Sequence, residues 1–518
     1  MVHKSWSLPR QLTTLEVGAT AETVESSTTN CRLFGSARLT YTLCAFFYNA
    51  LQMGMRNMLG LIILRMVMPR QGESLVVTLE QKLFNLTDIT PSCKNTVLPV
   101  DSLDVAQSGD LPWTRSQELT FPGTFYYGFV VALPLAGLLA DRFGGKKLFI
   151  NSMALNGLTY IALPLLAHHS YAVAVSILVI SGLCTGCGNP PLYQLFVVWA
   201  HPEERTTLLS FAYSGNIIGT MCIYPLANYL SDYGWRVPFY VLGATTLLFA
   251  VLCNWLVYNS LDEHPRLSAA EKAYLLSTQQ LDATQNFSIP WTALLTSMPV
   301  YAFVLTHIFH SYGFLLVALV LPRFMREAMQ YNMKEIGLLA SAPFLGSLLS
   351  KFICVLSCAF IERSFADYLN GLRRLLYVIC NIVAIICIGA IIYASCEQKT
   401  LVLMMFVVLG AFADLAFSAG YWPSLLYIAP SFSGLLSGLA NCLAHLSGFL
   451  APILISSLVH IGLKAEWDFV LLSLIVFNVL GILVFGFFGS SSLQSWDPRS
   501  QSLATSSSPT TYNRKTQN

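Results

Sequence analysis

Charged side chains are scarce in this sequence. Asp, Glu, Lys and Arg together make up 11% of its 518 residues, whereas soluble globular proteins contain roughly 25%. Hydrophobic residues make up 55%, and the mean hydropathy is +0.59. A chain of this composition must place most of its residues in lipid, where backbone polar groups have to be paired within helices. The shortage of charge therefore excludes an ordinary soluble globular protein.

Other features are missing too, and each absence removes a class of function. The net charge is only +2, and no basic stripe with interleaved aromatic residues is present, so nucleic-acid binding is not expected. No set of His, Asp, Ser or metal-ligating side chains converges at one depth. We therefore predict neither an enzyme nor a metal site, and no cofactor. Residues 1–35 lack a basic segment followed by an apolar one, which argues against a cleaved signal peptide.

Twelve apolar runs approach the roughly 20 residues that a helix needs to cross a bilayer. They are numbered here as spans 1 to 12 and lie at 38–68, 119–140, 147–167, 171–198, 206–231, 236–258, 297–321, 336–361, 373–395, 400–424, 431–460 and 467–489. The sequence therefore predicts an all-α polytopic membrane protein with twelve transmembrane helices.

Two long polar insertions, at 69–117 and 259–296, interrupt the series. The second separates six spans from six, which is the layout of membrane proteins built from two similar halves. The expected segments are a cytosolic tail at 1–37, an N-terminal half at 38–258, a cytosolic central loop at 259–296, a C-terminal half at 297–489 and a cytosolic tail at 490–518.

The distribution of Lys and Arg places both termini in the cytosol. With the N-terminus inside, and with residues at span ends counted with the adjoining segments, the cytosolic side holds 16 of the 29 Lys and Arg residues and the opposite side holds 10. The remaining 3, Arg56, Arg65 and Lys351, lie within spans. Cytosolic loops are generally enriched in these residues. Asn85-Leu86-Thr87 in the first insertion is an N-glycosylation acceptor, which is used only on the lumenal or extracellular side. Both observations place Asn85 and the 69–117 insertion outside the cytosol.

A short charged loop joins spans 2 and 3. Its sequence is Ala140-Asp141-Arg142-Phe143-Gly144-Gly145-Lys146-Lys147. So tight a turn holds two helices together on one side of the bilayer, and we predict a gating loop in a moving membrane protein. The alternative is a plain positively charged cytosolic turn. The predicted gating residues are Asp141, Arg142, Gly144, Gly145 and Lys146.

Few ionisable side chains lie within the spans. A charge in the bilayer core costs several kcal/mol, so each is a functional candidate by default. The candidates are Arg56 in span 1, His307 and His310 in span 7, and Asp414 in span 10. Arg56 can neither lose its proton nor easily reach the interface, so it needs an anion from the protein or from a ligand. For the two histidines, helix packing and a role on a substrate path are equal alternatives.

Four other ionisable residues lie nearer the ends of spans, where we expect snorkelling or packing. They are Arg65, Lys351, His445 and His460.

Short motifs follow one another in a fixed order over residues 38–496. They include Arg56-Asn57, Gly123-Thr124-Phe125-Tyr126-Tyr127-Gly128, the 140–147 loop, Gly234-Trp235-Arg236-Val237-Pro238-Phe239-Tyr240, Glu271-Lys272-Ala273-Tyr274, Leu321-Pro322-Arg323-Phe324-Met325-Arg326-Glu327 and Gly438-Leu439-Ala440-Asn441. In this order and spacing they resemble solute carrier family 17 of the major facilitator superfamily. Its members include sialin, the vesicular glutamate and nucleotide transporters and the type I sodium–phosphate cotransporters.

The resemblance implies a major facilitator fold whose first, fourth, seventh and tenth helices line a central cavity. It implies transport of organic or inorganic anions coupled to H⁺ or Na⁺, with Arg56 binding the anion and His307 or His310 adding a donor or charge. It also implies a monomeric transport unit in a lysosomal, vesicular or plasma membrane, whose partners are a small anionic substrate and the bilayer.

The chain departs from the family at positions that carry charge. The acid of the fourth helix falls on Thr185, and its arginine falls on Leu178. The seventh-helix arginine of the glutamate branch falls on His310, while His307 fits the sialin-like branch. We hypothesise that Asp414 replaces the missing acid as proton carrier. The alternative is a transport-inactive sensor or trafficking partner.

Overall fold

The computed structural model describes residues 33, 35–68, 109–282, 288–364, 368–395, 397–498 and 500. Over these residues the chain forms helices and no β-strand. Asn85 lies outside this part of the chain, as do most of the 69–117 insertion and most of both tails.

Twelve long helical segments follow one another in the described residues, which confirms the predicted fold. Spans 1 to 6 are Ala37–Met66, Arg115–Thr120 continued by a 3₁₀ turn at Phe121–Thr124 and a helix at Phe125–Phe143, Gly145–Leu166, Tyr171–Trp199, Pro202–Ser231 and Val237–Leu256. Spans 7 to 12 are Met298–Glu327, Met333–Leu339 with Ala342–Ser364, Leu369–Tyr393, Lys399–Leu415 with a π-helical turn at Ala416–Tyr421 and a helix at Ser424–Ile428, Ser433–Ala444 with Ser447–Leu458, and Lys464–Phe488.

Ten helices in this part of the chain are long and apolar enough to cross a membrane. The other two long helices are spans 1 and 5, which are more polar because they face each other and the interior. Asn57 Nδ2 donates to Thr220 Oγ1 at 2.9 Å, and both residues are fully buried. A Cβ added to Gly219 would collide with the Ala50 carbonyl oxygen, so glycine permits this close approach.

Span 7 continues past its predicted end at 321 to Glu327. The prediction stopped there because charged residues follow. In the structure these charges are buried against the protein, since the Arg323 and Glu327 side chains are only 4% and 16% exposed. A prediction from apolar runs ends a span at the first charges, so it misses a helix end whose charges are paired inside the protein.

The central loop contributes a helix, Ala269–Asp282, which is tied to the N-terminal half. Arg38, at the start of span 1, is completely buried. Its Nη1 lies 2.5 Å from Glu204 Oε2, and its Nε lies 3.3 Å from Glu271 Oε1. One buried arginine therefore joins span 1, span 5 and the central helix.

The first residues of the C-terminal segment pack on the linker between spans 10 and 11. Asp497 is fully buried and accepts hydrogen bonds from Ser431 N at 3.1 Å and Ser431 Oγ at 2.8 Å. Gln494 N donates to the Ile428 carbonyl at 3.0 Å. Residues 490–498 therefore belong structurally to the C-terminal bundle.

Candidate functional site

Arg56 lies against the aromatic start of span 2. Its guanidinium carbon is 5.8, 5.3 and 6.0 Å from the ring centres of Phe125, Tyr126 and Phe129. The residue is 5% exposed, Nη2 contacts Met53 Sδ, and Nε has no hydrogen-bond partner among the described residues. Cation–π contacts supply roughly 0.5–2 kcal/mol each, whereas an unpaired buried charge costs several. Arg56 is a buried cation for which this part of the chain supplies no carboxylate.

A neutral hydrogen-bond network occupies the position of the family's fourth-helix acid. Gln52, one turn before Arg56, accepts at Oε1 from Asn156 Nδ2 at 2.5 Å and from Thr185 Oγ1 at 3.1 Å. Ser181 Oγ donates to Asn156 Oδ1 at 2.6 Å. Every member is buried and uncharged at neutral pH. The network therefore contains no side chain suited to carry a proton across the membrane.

His307 links three spans. Its Nε2 lies 3.1 Å from Asn441 Oδ1, and its Nδ1 lies 2.8 Å from the Tyr421 hydroxyl. The amide Nδ2 of Asn441 donates to the Ser437 carbonyl at 2.8 Å, so Oδ1 is an acceptor and His307 Nε2 carries a proton. The other nitrogen of a neutral ring then accepts from Tyr421. Both ring nitrogens of His307 are therefore engaged within the C-terminal half.

His445 connects His307 and its partners to the aromatic rings around Arg56. It lies at the break between the two helices of span 11, and its Nδ1 is 2.7 Å from the Asn441 carbonyl oxygen. Its ring centre lies 4.9 Å from that of Phe129 and 6.2 Å from that of Tyr126. The contacts of Arg56 and those of His307 thus form one continuous layer across the two halves.

The π-helical turn of span 10 organises the second polar group. A π-helical turn displaces side chains from the regular helical phase and is frequent at functional sites. Here it aims Tyr421 at His307, stacks Phe417 on the His310 ring at 5.3 Å, and places Ser418 beside Asp414. Three contacts of the site therefore depend on this one turn.

Asp414 forms an ion pair with Lys351 of span 8. Lys351 Nζ lies 3.0 Å from Asp414 Oδ1 and donates to Ser418 Oγ at 3.2 Å, while Ser418 Oγ donates to Asp414 Oδ2 at 3.2 Å. The Asp414 side chain is 10% exposed and that of Lys351 is 28% exposed. The three side chains form a closed triangle in which the carboxylate is neutralised by a tethered ammonium group.

His310 and Asp414 face one cavity that is built mainly by the C-terminal half. The cavity lies between spans 7, 8, 9, 10 and 12, with Ile217 of span 5 also in its lining, and its empty volume, including the space at its opening, is about 860 Å³. Its polar lining also includes Ser347, Asn381 and Asn478. The structure therefore groups His310 with Asp414, and His307 with the layer that reaches Arg56.

Ion pairs join the two halves at the end predicted to be lumenal. Arg115 Nη2 of span 2 lies 2.6 Å from Glu327 Oε2 of span 7. Arg323 of span 7 pairs in turn with Glu118 of span 2. Trp467 Nε1 of span 12 donates to Glu327 Oε2 at 3.1 Å. Each half thus contributes one cation and one anion to a mostly buried cluster, termed here the cross-half cluster.

The loop between spans 2 and 3 packs on the end of span 6. Gly144 adopts φ +87, which ends span 2 in a conformation that favours glycine. Lys146 N donates to Asn259 Oδ1 at 2.8 Å, and Lys146 Nζ lies 4.5 Å from the ring centre of Tyr258. The ring of His264 lies 4.7 Å from that of Tyr258, and burial lowers the pKa of this histidine. Arg142 is exposed, and the side chain of Asp141 lies outside the described part.

Four residues of this arrangement escaped sequence reasoning or were assigned elsewhere: Lys351, Tyr421, Asn441 and His445. Lys351 and His445 were expected near span ends. For Tyr421, Asn441 and His445, the signal is the irregularity of spans 10 and 11, where Gly420, Pro423 and Pro430 weaken regular helix formation. Nothing comparable in span 8 points to Lys351.

The sequence matches the family description "Major Facilitator Superfamily" over residues 109–452. The chain belongs to this superfamily. Structural comparison agrees, because the E. coli xylose transporter in a partially occluded inward-open conformation superposes with a TM-score of 0.59. The two share 14% sequence identity, and the match covers 87% of this chain and 99% of the other.

Curated relatives confirm the resemblance to solute carrier family 17. Sialin of Homo sapiens is 28% identical over 395 residues, covering 74% of this chain and 77% of sialin. Vesicular glutamate transporter 3 of Danio rerio is 24% identical over 428 residues, covering 80% of this chain and 71% of the transporter. The protein is thus a multi-pass membrane protein of a transporter superfamily.

Proposed function

We propose that this protein is a secondary active transporter that moves a small organic or inorganic anion by alternating access, driven by H⁺ or Na⁺. The main support for this proposal is Arg56 in span 1, whose buried guanidinium forms no salt bridge with the described residues. A substrate carboxylate or phosphate supplies the missing anion, and it accepts charge-assisted hydrogen bonds from the planar guanidinium. The printed names of sialin and of the glutamate transporters fit an anionic substrate.

The remaining candidates take roles set by their neighbours. His307 positions Tyr421 and Asn441 on the substrate side of the C-terminal half, because its own nitrogens are already engaged. His310 and Asp414 share the second cavity, where Asp414 carries the coupling proton in place of an acid at Thr185. A vesicular glutamate transporter among the relatives favours a lysosomal or vesicular membrane, with the plasma membrane as the alternative.

Uptake into proteoliposomes tests this function. The purified protein is reconstituted and offered labelled sialic acid, glutamate, lactate and phosphate, with and without an imposed H⁺ or Na⁺ gradient. We expect saturable uptake of at least one anion, and stimulation by one gradient. Empty liposomes are the control. Absence of uptake for every anion, from a sample that is monodisperse and thermally stable, would favour the transport-inactive sensor instead.

The cross-half cluster is expected to hold the predicted lumenal end closed while the opposite end is open. Arg115→Glu places a carboxylate opposite Glu327, and Glu327→Arg places a guanidinium opposite Arg115. Breaking a buried pair costs roughly 3–5 kcal/mol, so each single variant should lose at least tenfold in uptake rate. The double variant Arg115→Glu/Glu327→Arg restores an opposite-charge pair and should recover a large part of the rate.

Lys464 and Asp468 provide the matched control, because they pair at 2.9 Å within span 12 of one half. Exchanging their charges should change uptake little. If Arg115→Glu/Glu327→Arg is as impaired as the single variants, the pair does not act as a gate. The 140–147 loop contacts Tyr258 and Asn259 at the other end, where Lys146 is the residue proposed to hold the complementary state.

A further inference from the structure

We propose that the cavity of the C-terminal half contains a sodium site on Asp414, for which the Lys351 ammonium group and a sodium ion compete. This inference rests on the proposed transport function for its purpose, but its test below requires no transport. The site is separate from Arg56 in span 1. At this site the Asp414 carboxylate binds either the Lys351 ammonium group or a sodium ion.

The first argument is the kind of polar atom that faces the cavity. The amide nitrogen of Asn381 donates to the Tyr377 carbonyl at 2.8 Å, and that of Asn478 donates to the Leu474 carbonyl at 2.7 Å. Each asparagine thus directs one N–H of its amide to its own helix, which distinguishes the amide nitrogen from the amide oxygen and leaves that oxygen as an acceptor. Both residues line the cavity with Asp414. A site for a proton alone needs only the carboxylate, whereas hard cations are bound by several oxygen atoms.

The second argument is the position of Lys351. Its ammonium group already occupies a cation position, with the Asp414 and Ser418 oxygens at 3.0 and 3.2 Å. Its side chain is 28% exposed, so it has room to withdraw along its flexible stem. Two cations do not share one buried carboxylate without repulsion. Sodium entering from the cavity therefore replaces the ammonium group, and the charge of the site changes by less than if sodium bound a free carboxylate.

The third argument is the local backbone. Asp414 lies in the last turn of the α-helical part of span 10, directly before the π-helical turn. Transporters commonly bind coupling ions where a spanning helix is interrupted. The other titratable groups that face Asp414 are Lys351 of span 8, His310 of span 7 and Tyr377 of span 9, together with Tyr421 on its own span.

Sodium-dependent thermal stability of the detergent-solubilised protein, without any anionic substrate, tests the inference. NaCl is titrated against choline chloride at constant ionic strength. We expect NaCl to raise the Tm of the wild type. Lys351→Met removes the competitor and should lower the half-maximal NaCl concentration by roughly tenfold, since hydrogen bonds to charged groups contribute at least about 1.4 kcal/mol. Lys351→Gln serves if the Met variant does not fold.

Two further variants show whether sodium binds at Asp414. Asp414→Asn/Lys351→Met should lose the sodium response entirely, and Asn478→Leu should raise the half-maximal concentration. Asn151→Leu makes the same change at an exposed position of span 3 and should behave as wild type. No sodium response in Lys351→Met, or a response that survives loss of Asp414, overturns the inference. A stability change with pH but not with sodium identifies a proton site alone and also overturns it. None of these results depends on whether Arg56 binds an anion or whether the protein transports one.

Discussion

Replacing Arg56 with Ala is expected to abolish uptake while leaving the protein at least as stable as the wild type. Arg56 is 5% exposed, and its guanidinium lies against three aromatic rings and a thioether. Replacing Arg56 with Ala removes the positive charge that the substrate anion needs. Loss of the paired, charge-assisted hydrogen bonds from the guanidinium to the anion should lower uptake by roughly a hundredfold or more. The same change also removes a buried charge without a carboxylate partner, which relieves the fold of a desolvation cost.

Arg65 is the matched control because it is a second buried arginine of span 1. Its Nη1 lies 2.8 Å from Asp232 Oδ1, and its Nη2 donates to Asn228 Oδ1 at 3.1 Å. Arg65→Ala should therefore lower the Tm, since it leaves Asp232 unpaired, whereas Arg56→Ala should not. Arg56→Lys keeps the charge but loses the planar fork, so it should raise the KM more than it lowers the maximal rate.

The role of Arg56 is tested by measuring uptake kinetics and thermal unfolding of Arg56→Ala, Arg56→Lys and Arg65→Ala at matched reconstitution levels. If Arg56→Ala keeps normal uptake, the anion binds elsewhere. If it loses activity only together with stability, Arg56 has a structural role and the proposal in its present form is wrong.

The spans were predictable because they depend on the composition and length of apolar runs. Arg56 was predictable as a candidate because a charge in the bilayer core is costly in free energy. An apolar run of about 20 residues has few alternatives to a membrane helix, and a guanidinium within such a run requires an anion. The twelve spans follow from the first rule, and Arg56 as a candidate follows from the second. Spans 1 and 5 were predicted as apolar runs by the first rule, although their helices are more polar than the other ten.

The grouping of the polar residues was not predictable from the sequence. His307 and His310 are three residues apart, which places them on neighbouring parts of one helix face in a regular helix. Their different contacts arise from span 10, where a π-helical turn places the Tyr421 hydroxyl on a ring nitrogen of His307 and stacks the Phe417 ring on His310. The shift to a π-helical turn depends on tertiary packing and leaves little trace in residue periodicity.

Lys351 illustrates a second limit. Near the end of an apolar run, a lysine is expected to extend its flexible stem toward the headgroups. The structure instead places it against Asp414, which is 63 positions later in the chain. Such a long-range pair costs little in a half-bundle where spans 8 and 10 already touch through Gly346 and Gly410. Residue spacing does not show which charges of distant spans come together, so the Lys351–Asp414 pair was not predicted.

Replacing Asp414 with Asn is expected to abolish uptake driven by a pH gradient while sparing exchange of internal for external anion. Exchange needs only the substrate site around Arg56 and the movement of the two halves. Net accumulation needs a group that changes its protonation between the two sides, and the network around Thr185 offers none. Asp414 lines a cavity together with other polar side chains, so it is the acid of this half that a proton is proposed to reach.

The single variant leaves the Lys351 ammonium group without its counter-ion, which by itself harms a partly buried site. Asp414→Asn/Lys351→Met avoids this, because it removes both charges together. Both variants should retain counterflow and lose stimulation by the imposed pH gradient. Glu335→Gln is the control, since Glu335 lies at an exposed helix start and only caps its own turn. If pH-driven accumulation survives in the double variant, Asp414 is not the proton carrier. If counterflow is lost as well, the pair serves the conformational change rather than the coupling.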